Sequence, residues 1–134
     1  MKRSLLLIIL LSTFVNWTYA QQEFRIIGYL PFYRFGIADQ LEMEKLTHLN
    51  ISFANPDANG NLKCSGDYQT VIKKAKEKNP DLKVFISLAG GALTSSQNAL
   101  WKVWMSAENR TFFISNIIQF VLDNEMAGVD MDLE

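Results

Sequence analysis

Cysteine is almost missing from this chain of 134 residues: Cys64 stands alone, so no intrachain disulfide can form and stability has to come from packing. Histidine is equally scarce, and the single one, His48, opens an apolar run, where it reads as strand-start packing rather than as a catalytic base. Charge of one sign is lacking too. Thirteen basic against fourteen acidic residues leave a net charge of -1, which removes any electrostatic reason to expect nucleic acid or an anionic membrane as partner. The apolar stretch from Leu5 to Val15 falls short of the roughly 20 residues a spanning helix needs. It follows Lys2 and Arg3 and precedes Thr18-Tyr19-Ala20, the pattern of a secretory signal cleaved after Ala20, with no cysteine at the junction to accept lipid. Residues 1–20 are therefore expected to direct secretion, extracellular or periplasmic, leaving residues 21–134 without stable membrane insertion.

What remains is an ordinary globular composition, 49% apolar, arranged as alternating short apolar runs and helical repeats. Phe24 to Tyr29 reads as a first strand, closed by Pro31 and an aromatic loop holding Phe32, Tyr33 and Phe35. Asp39 to Lys45 predicts a short helix with Asp39 as its N-cap. His48 to Ala54 is a second strand, and Asn55 to Asn61 is dense turn chemistry that predicts a loop. Tyr68, Val71, Ile72 and Ala75 recur at helical spacing before Asn79-Pro80 stops them. Leu82 to Ala89 is a nearly unbroken apolar strand, ended by Gly90-Gly91. Ala99 to Met105 predicts a short helix, Ser106 a cap for a longer one that carries Phe112, Phe113, Ile117, Ile118, Val121 and Leu122, and Asn124 its left-handed end. Trp101 and Trp104 read as packing of the outer helical layer.

The chain closes on Val129-Asp130-Met131-Asp132-Leu133-Glu134. In a strand, alternate side chains share a face, so Asp130, Asp132 and Glu134 line up together while Val129, Met131 and Leu133 point the other way. Gathering like charges costs hydration and raises the pKa of each neighbour, so a row of this kind points to a site whose members titrate together. Alternation alone leaves three readings open: catalysis, oxygen ligation of Ca²⁺ or Mg²⁺, and a solvated strand end. The row lacks the glycine turn of a calcium loop.

Repeated strand-helix alternation with doubly buried strands predicts a parallel sheet with helices outside, either a (β/α)₈ barrel or a doubly wound open sheet. In both, sites form at the C-terminal ends of strands. Tyr29 with Phe32 and Tyr33, Ser52 with Phe53, Ser87 with Gly90, and Asp132 with Glu134 all fall there.

Together these four strand ends resemble glycoside hydrolase family 18, the chitinase and endo-β-N-acetylglucosaminidase family. Its fourth-strand signature, Asp-x-x-Asp-x-Asp-x-Glu, is met by Ala127-Gly-Val-Asp130-Met-Asp132-Leu-Glu134 in three of its four acids. Its Ser-x-Gly-Gly third-strand motif is similar to Ser87-Leu88-Ala89-Gly90, with Gly91 following. Leu46 to Ala54 looks like its second strand and Ile27-Gly28-Tyr29 its first. The resemblance implies a (β/α)₈ barrel of which residues 21–134 supply about the first four β/α units. It implies Glu134 as general acid, Asp132 as the group holding the substrate's acetamido side chain, and Asp130 backing Asp132 through a shared proton. Attack by the acetamido carbonyl would give an oxazolinium intermediate with retention, so no cofactor or metal is implied. Tyr29 and Ser87 resemble residues that hydrogen-bond the inner carboxylates, and Phe53 one that lines the sugar floor. The implied partner is a β-1,4-linked N-acetylglucosamine polymer or oligosaccharide.

Three departures stand out. Ala127 replaces the signature's first acid, which is expected to weaken folding or site organisation without removing the proton donor. Ala89 replaces a glycine, an exchange expected to be minor. Last, a complete barrel needs about 250 residues, so the chain reads as the N-terminal half of a longer enzyme, inactive and poorly soluble alone. The rival functions are a noncatalytic, lectin-like or inhibitor protein on the same scaffold, an endo-β-N-acetylglucosaminidase acting on N-glycans, and an unrelated α/β activity. Two glycosylation triplets, at Asn50 and Asn109, would matter only in a glycosylating host, and Asn50 lies inside a strand-like run.

Overall fold

The computed structural model describes residues 24–133; the segment expected to direct secretion and Glu134 lie outside that range. Five strands form one sheet: β1 (Ile27–Pro31), β2 (His48–Pro56), β3 (Leu62–Cys64), β4 (Lys83–Ala89) and β5 (Gly128–Asp132). Its order is β1-β2-β4-β5, all parallel, with β3 antiparallel to β2 off that path. Each new parallel strand is laid beside the previous one, without the reversal of order that defines a doubly wound sheet. Of the two architectures predicted from the sequence, this progression is that of a barrel wall.

Burial explains the strand patterns. In β4 only Lys83 is exposed and Phe85 partly so, the rest being buried, because helices cover one face while the other turns inward. Leu49, Ile51, Val84, Ile86 and Leu88 form the layer between the sheet and its three helices, α1 (Tyr68–Lys78), α2 (Ser95–Trp104) and α3 (Arg110–Asp123). Val71, Ile72 and Ala75 carry α1 into this layer as their spacing predicted, with Asp67 capping the Thr70 amide at 3.1 Å. Phe113, fully buried, does the same for α3. Trp101 and Trp104 pack edge-on and tilted against Phe113, in the outer layer as expected.

Several boundaries differ from expectation, each for a local reason. The first strand is shifted towards Pro31. The helix expected at Asp39–Lys45 is instead two 3-10 segments, Phe32–Gln40 and Met43–Lys45. Asp39 is not an N-cap: its carboxylate pairs with Lys74 at 2.7 Å, while Lys78 Nζ donates to the Asp39 and Leu41 carbonyls, so α1 dictates the backbone there. The expected loop at Asn55–Asn61 is a hairpin returning through β3, its turn held by Asp57 Oδ1 accepting from the Asn59 and Asn61 amides. Helix α2 starts at Ser95, four residues early, because Thr94 and Gln97 close a reciprocal capping box. Ser106 caps nothing with its side chain; its hydroxyl is buried without a partner and Asn109 precedes α3. Glu125, at φ +50°, takes the left-handed position expected of Asn124.

Candidate active site

Strand β5 lies beside β4 with Asp130 opposite Ser87 and Asp132 opposite Ala89. Asp130 and Asp132 are half-buried while Val129, Met131 and Leu133 are exposed, so the strand splits into the two faces its alternation predicted. Ser87, completely buried, donates its hydroxyl to Asp130 Oδ2 at 2.7 Å. Tyr29 donates to the same oxygen at 3.0 Å. Tyr29 belongs to β1 and Asp130 to β5, the two ends of the parallel path. Three strand spacings of about 4.8 Å separate them in a flat sheet, and side chains there stand perpendicular to it. Their contact therefore requires a strongly curled sheet, with both side chains on its concave face.

The Asp130 carboxylate raises the Tyr29 phenol above its ordinary pKa, first by accepting its hydrogen bond; desolvation adds to this and Asn50 partly offsets it. Asn50 sits opposite Tyr29 in the β1–β2 ladder and is buried at 6% exposure. As the sequence suggests for a triplet inside a strand, burial closes Asn50 to glycosylation. A polar side chain within an apolar, doubly covered strand was the signal that could have placed it in the site.

Phe53 is half-buried at the end of β2, where the ladder to β4 shifts register between Ser52 and Ala54 and the Ser52–Phe53 peptide is cis. Its ring lies against Gly90, at the end of β4. Thus five of the six predicted site residues, Tyr29, Phe53, Ser87, Asp130 and Asp132, come from four strands to one rim; the sixth, Glu134, lies outside the described residues. The aromatic loop divides: Phe32 and Tyr33 are exposed and meet edge-to-face, while Phe35 packs on the core. His48 is at the opposite end of β2, tilted over Phe85.

Ala127 lies just before β5, exposed, and its amide still donates to Val84 O at 2.7 Å, so the strand start is kept by backbone alone. Ala89 has φ +72° and Gly90 +86°, consecutive left-handed residues closing β4. No three His, Cys, Asp or Glu side chains among the described residues gather where they could share a metal ion. A groove among them lies away from the rim, on the outer layer between α1 and the end of α3.

Solved structures extend these observations. A family 18 chitinase from the chitin utilization locus of Flavobacterium johnsoniae matches at 46% identity and TM-score 0.80, over 82% of this chain and 36% of its own. A family 18 chitinase from Cycas revoluta, solved with (GlcNAc)3, shares the fold at 22% identity and TM-score 0.68, over 81% and 33%. A chitinase-like agglutinin from Robinia pseudoacacia matches at 27% and 0.65, over 78% and 33%. The chain thus spans about a third of the length of each. No curated protein matches it. The family model for glycosyl hydrolases family 18 matches residues 14–134. With nearly the whole sequence inside that match, and its strands superposing on (β/α)₈ chitinases, the chain belongs to glycosyl hydrolase family 18.

Proposed function

We propose that this chain supplies the acid-bearing half of a secreted, retaining glycosidase that cleaves β-1,4 bonds in N-acetylglucosamine polymers. The observation that carries the reading is Asp130 held through one oxygen by Ser87 and Tyr29, on the face it shares with Asp132. Fixing Oδ2 leaves Oδ1 for a partner further along the strand, the role of Asp132. Asp132 then orients the substrate's acetamido group, whose carbonyl oxygen attacks the anomeric carbon as the glycosidic C–O bond breaks. Glu134 gives its proton to the departing oxygen. Water opens the oxazolinium ion and returns a proton to Glu134, restoring the configuration. This departs from the usual pair of acid and nucleophile carboxylates because the nucleophile belongs to the substrate. Phe53 forms an apolar wall for the sugar.

The 46% identity to a chitinase supports chitin-like substrates over N-glycans. The likeness to an agglutinin keeps a second reading in view, a noncatalytic sugar-binding protein. One experiment separates them. In the complete protein, Glu134→Gln should abolish hydrolysis of chitooligosaccharides while leaving their binding intact, and a thiazoline analogue of the oxazolinium ion should inhibit the wild type. A wild type that binds without turnover selects the agglutinin reading. Turnover of high-mannose glycoprotein but not of chitooligosaccharide selects the endo-β-N-acetylglucosaminidase, and unchanged turnover in Glu134→Gln removes that residue as the acid.

A further inference from the structure

Between the aromatic wall on β2 and the carboxylates on β5 lies the end of β4, and there the decisive residue has no side chain. A Cβ built on Gly90 would fall 2.8 Å from two carbons of the Phe53 ring and 2.9 Å from a third, far inside contact distance. The ring therefore fills the space a side chain would need. On the other side, the Gly90 amide donates to the Asp132 carbonyl at 2.9 Å, the last rung joining β4 to β5. One residue thus touches both halves of the rim, by its Cα face towards Phe53 and by its N–H towards Asp132. The left-handed backbone, φ +86°, already strains any side chain placed there, a strain that Ala89 bears at φ +72° in the same turn. The ring adds a clash that Ala89 does not face.

We infer that Gly90 is a positioning residue that couples the Phe53 ring to the backbone of Asp132, so that the aromatic wall sets where the acetamido-orienting carboxylate stands. The inference rests on the role proposed above for Asp132. A methyl at position 90 must push either the ring out of the wall or the β4 terminus, with its N–H, away from Asp132. The latter moves Asp132 relative to the scissile bond while leaving most sugar contacts in place, so the loss falls on kcat rather than KM.

The test is a double-mutant cycle in the complete protein with Gly90→Ala, Phe53→Ala and both, assayed on the N-acetylglucosamine tetramer and by urea unfolding. Gly90→Ala should lower kcat by between about tenfold and a hundredfold, with KM changed less than about threefold. Removing the ring makes room for the methyl, so the double variant should recover at least about threefold in kcat over Gly90→Ala, and the two substitutions should be non-additive in unfolding as well. Effects that simply multiply, or a Gly90→Ala loss confined to KM, overturn the inference. Should Gly90→Ala not fold, amide exchange in the wild type decides: a Gly90 N–H slowed by its Asp132 partner upholds the coupling, and one exchanging as freely as an open loop overturns it. A wild type that hydrolyses no tetramer refutes the proposed function instead, and the unfolding cycle and amide exchange still decide the Phe53–Gly90–Asp132 contact.

Discussion

Ser87 and Tyr29 bond the same carboxylate oxygen, yet their removal should differ, and the difference follows from burial. Hydrogen bonds to charged groups contribute about 1.5–3 kcal/mol. Ser87 is completely buried and its bond is 2.7 Å long. Replacing it with alanine leaves a gap well below the roughly 10–15 Å³ that a water needs, so nothing replaces the lost donor and Ser87→Ala should cost about 2 kcal/mol. Tyr29 is 56% exposed and its bond is 3.0 Å. Solvent takes over for the phenol, so Tyr29→Phe should cost less than about 1 kcal/mol once screening is allowed for. Because both donors meet at one oxygen, the double variant should cost more than the sum of the singles. Urea unfolding of the complete protein at neutral pH measures all three. A larger loss for Tyr29→Phe than for Ser87→Ala would refute the reasoning, as would strict additivity.

The raised Tyr29 phenol gives a pH dependence of known sign. The folded state keeps that proton longer than the unfolded chain does, so the contribution is fully present below the ordinary tyrosine pKa of about 10 and is lost as pH rises through the higher folded value. Phenolate absorbance should show Tyr29 titrating closer to the ordinary value in Asp130→Asn; no movement would remove the carboxylate as the cause. At Ala89, restoring glycine relieves about 1–2 kcal/mol of left-handed strain. It also frees the unfolded chain by about 0.5–1 kcal/mol and removes a buried methyl worth about 0.8 kcal/mol. Ala89→Gly should therefore unfold within about 0.8 kcal/mol of wild type, whereas Ala89→Val, β-branched at φ +72° in a packed site, should cost more than about 2 kcal/mol. A clear stabilisation by glycine would show the strain to be uncompensated. Val129 and Met131 on β5, Leu133 just after it, and Ile114, Ile118 and Leu122 on α3 are all exposed, so the 134-residue product alone should be aggregation-prone and inactive; a soluble monomer that hydrolyses chitooligosaccharide would contradict this.

The parts of the fold legible in the sequence were those fixed by repeated burial. Strand β4 and helix α1 followed from runs of apolar residues whose period matches one structure only. The parts missed were fixed by single hydrogen bonds between distant residues. No local pattern announces that Lys74 and Lys78 will hold the segment near Asp39, or that three residues from Leu62 to Cys64 will pair back on β2. The helix ends show the same division: Thr94 and Gln97 carry a readable capping spacing, whereas Glu125 in the left-handed region goes against residue preference and answers to the geometry of entry into β5.

The candidate site is legible in the sequence as a set of strand ends, five of whose six residues the structure brings to one rim, but its internal order is not visible there. Alternation places Asp130 and Asp132 on one face and cannot say which of them is held by protein and which is left for substrate. The curled sheet shows which one the protein holds, because bringing β1 round towards β5 delivers a hydroxyl to Asp130. Ser87 delivers the second from the adjacent strand at the same level. Asp132, one pleat nearer the rim, is instead fixed through its carbonyl by Gly90. Two hydroxyls, one buried and one on an exposed residue, thus hold one acid by its side chain, and a glycine holds the next by its backbone. The two modes of attachment support the proposal that Asp130 backs Asp132 and that Asp132 meets the ligand.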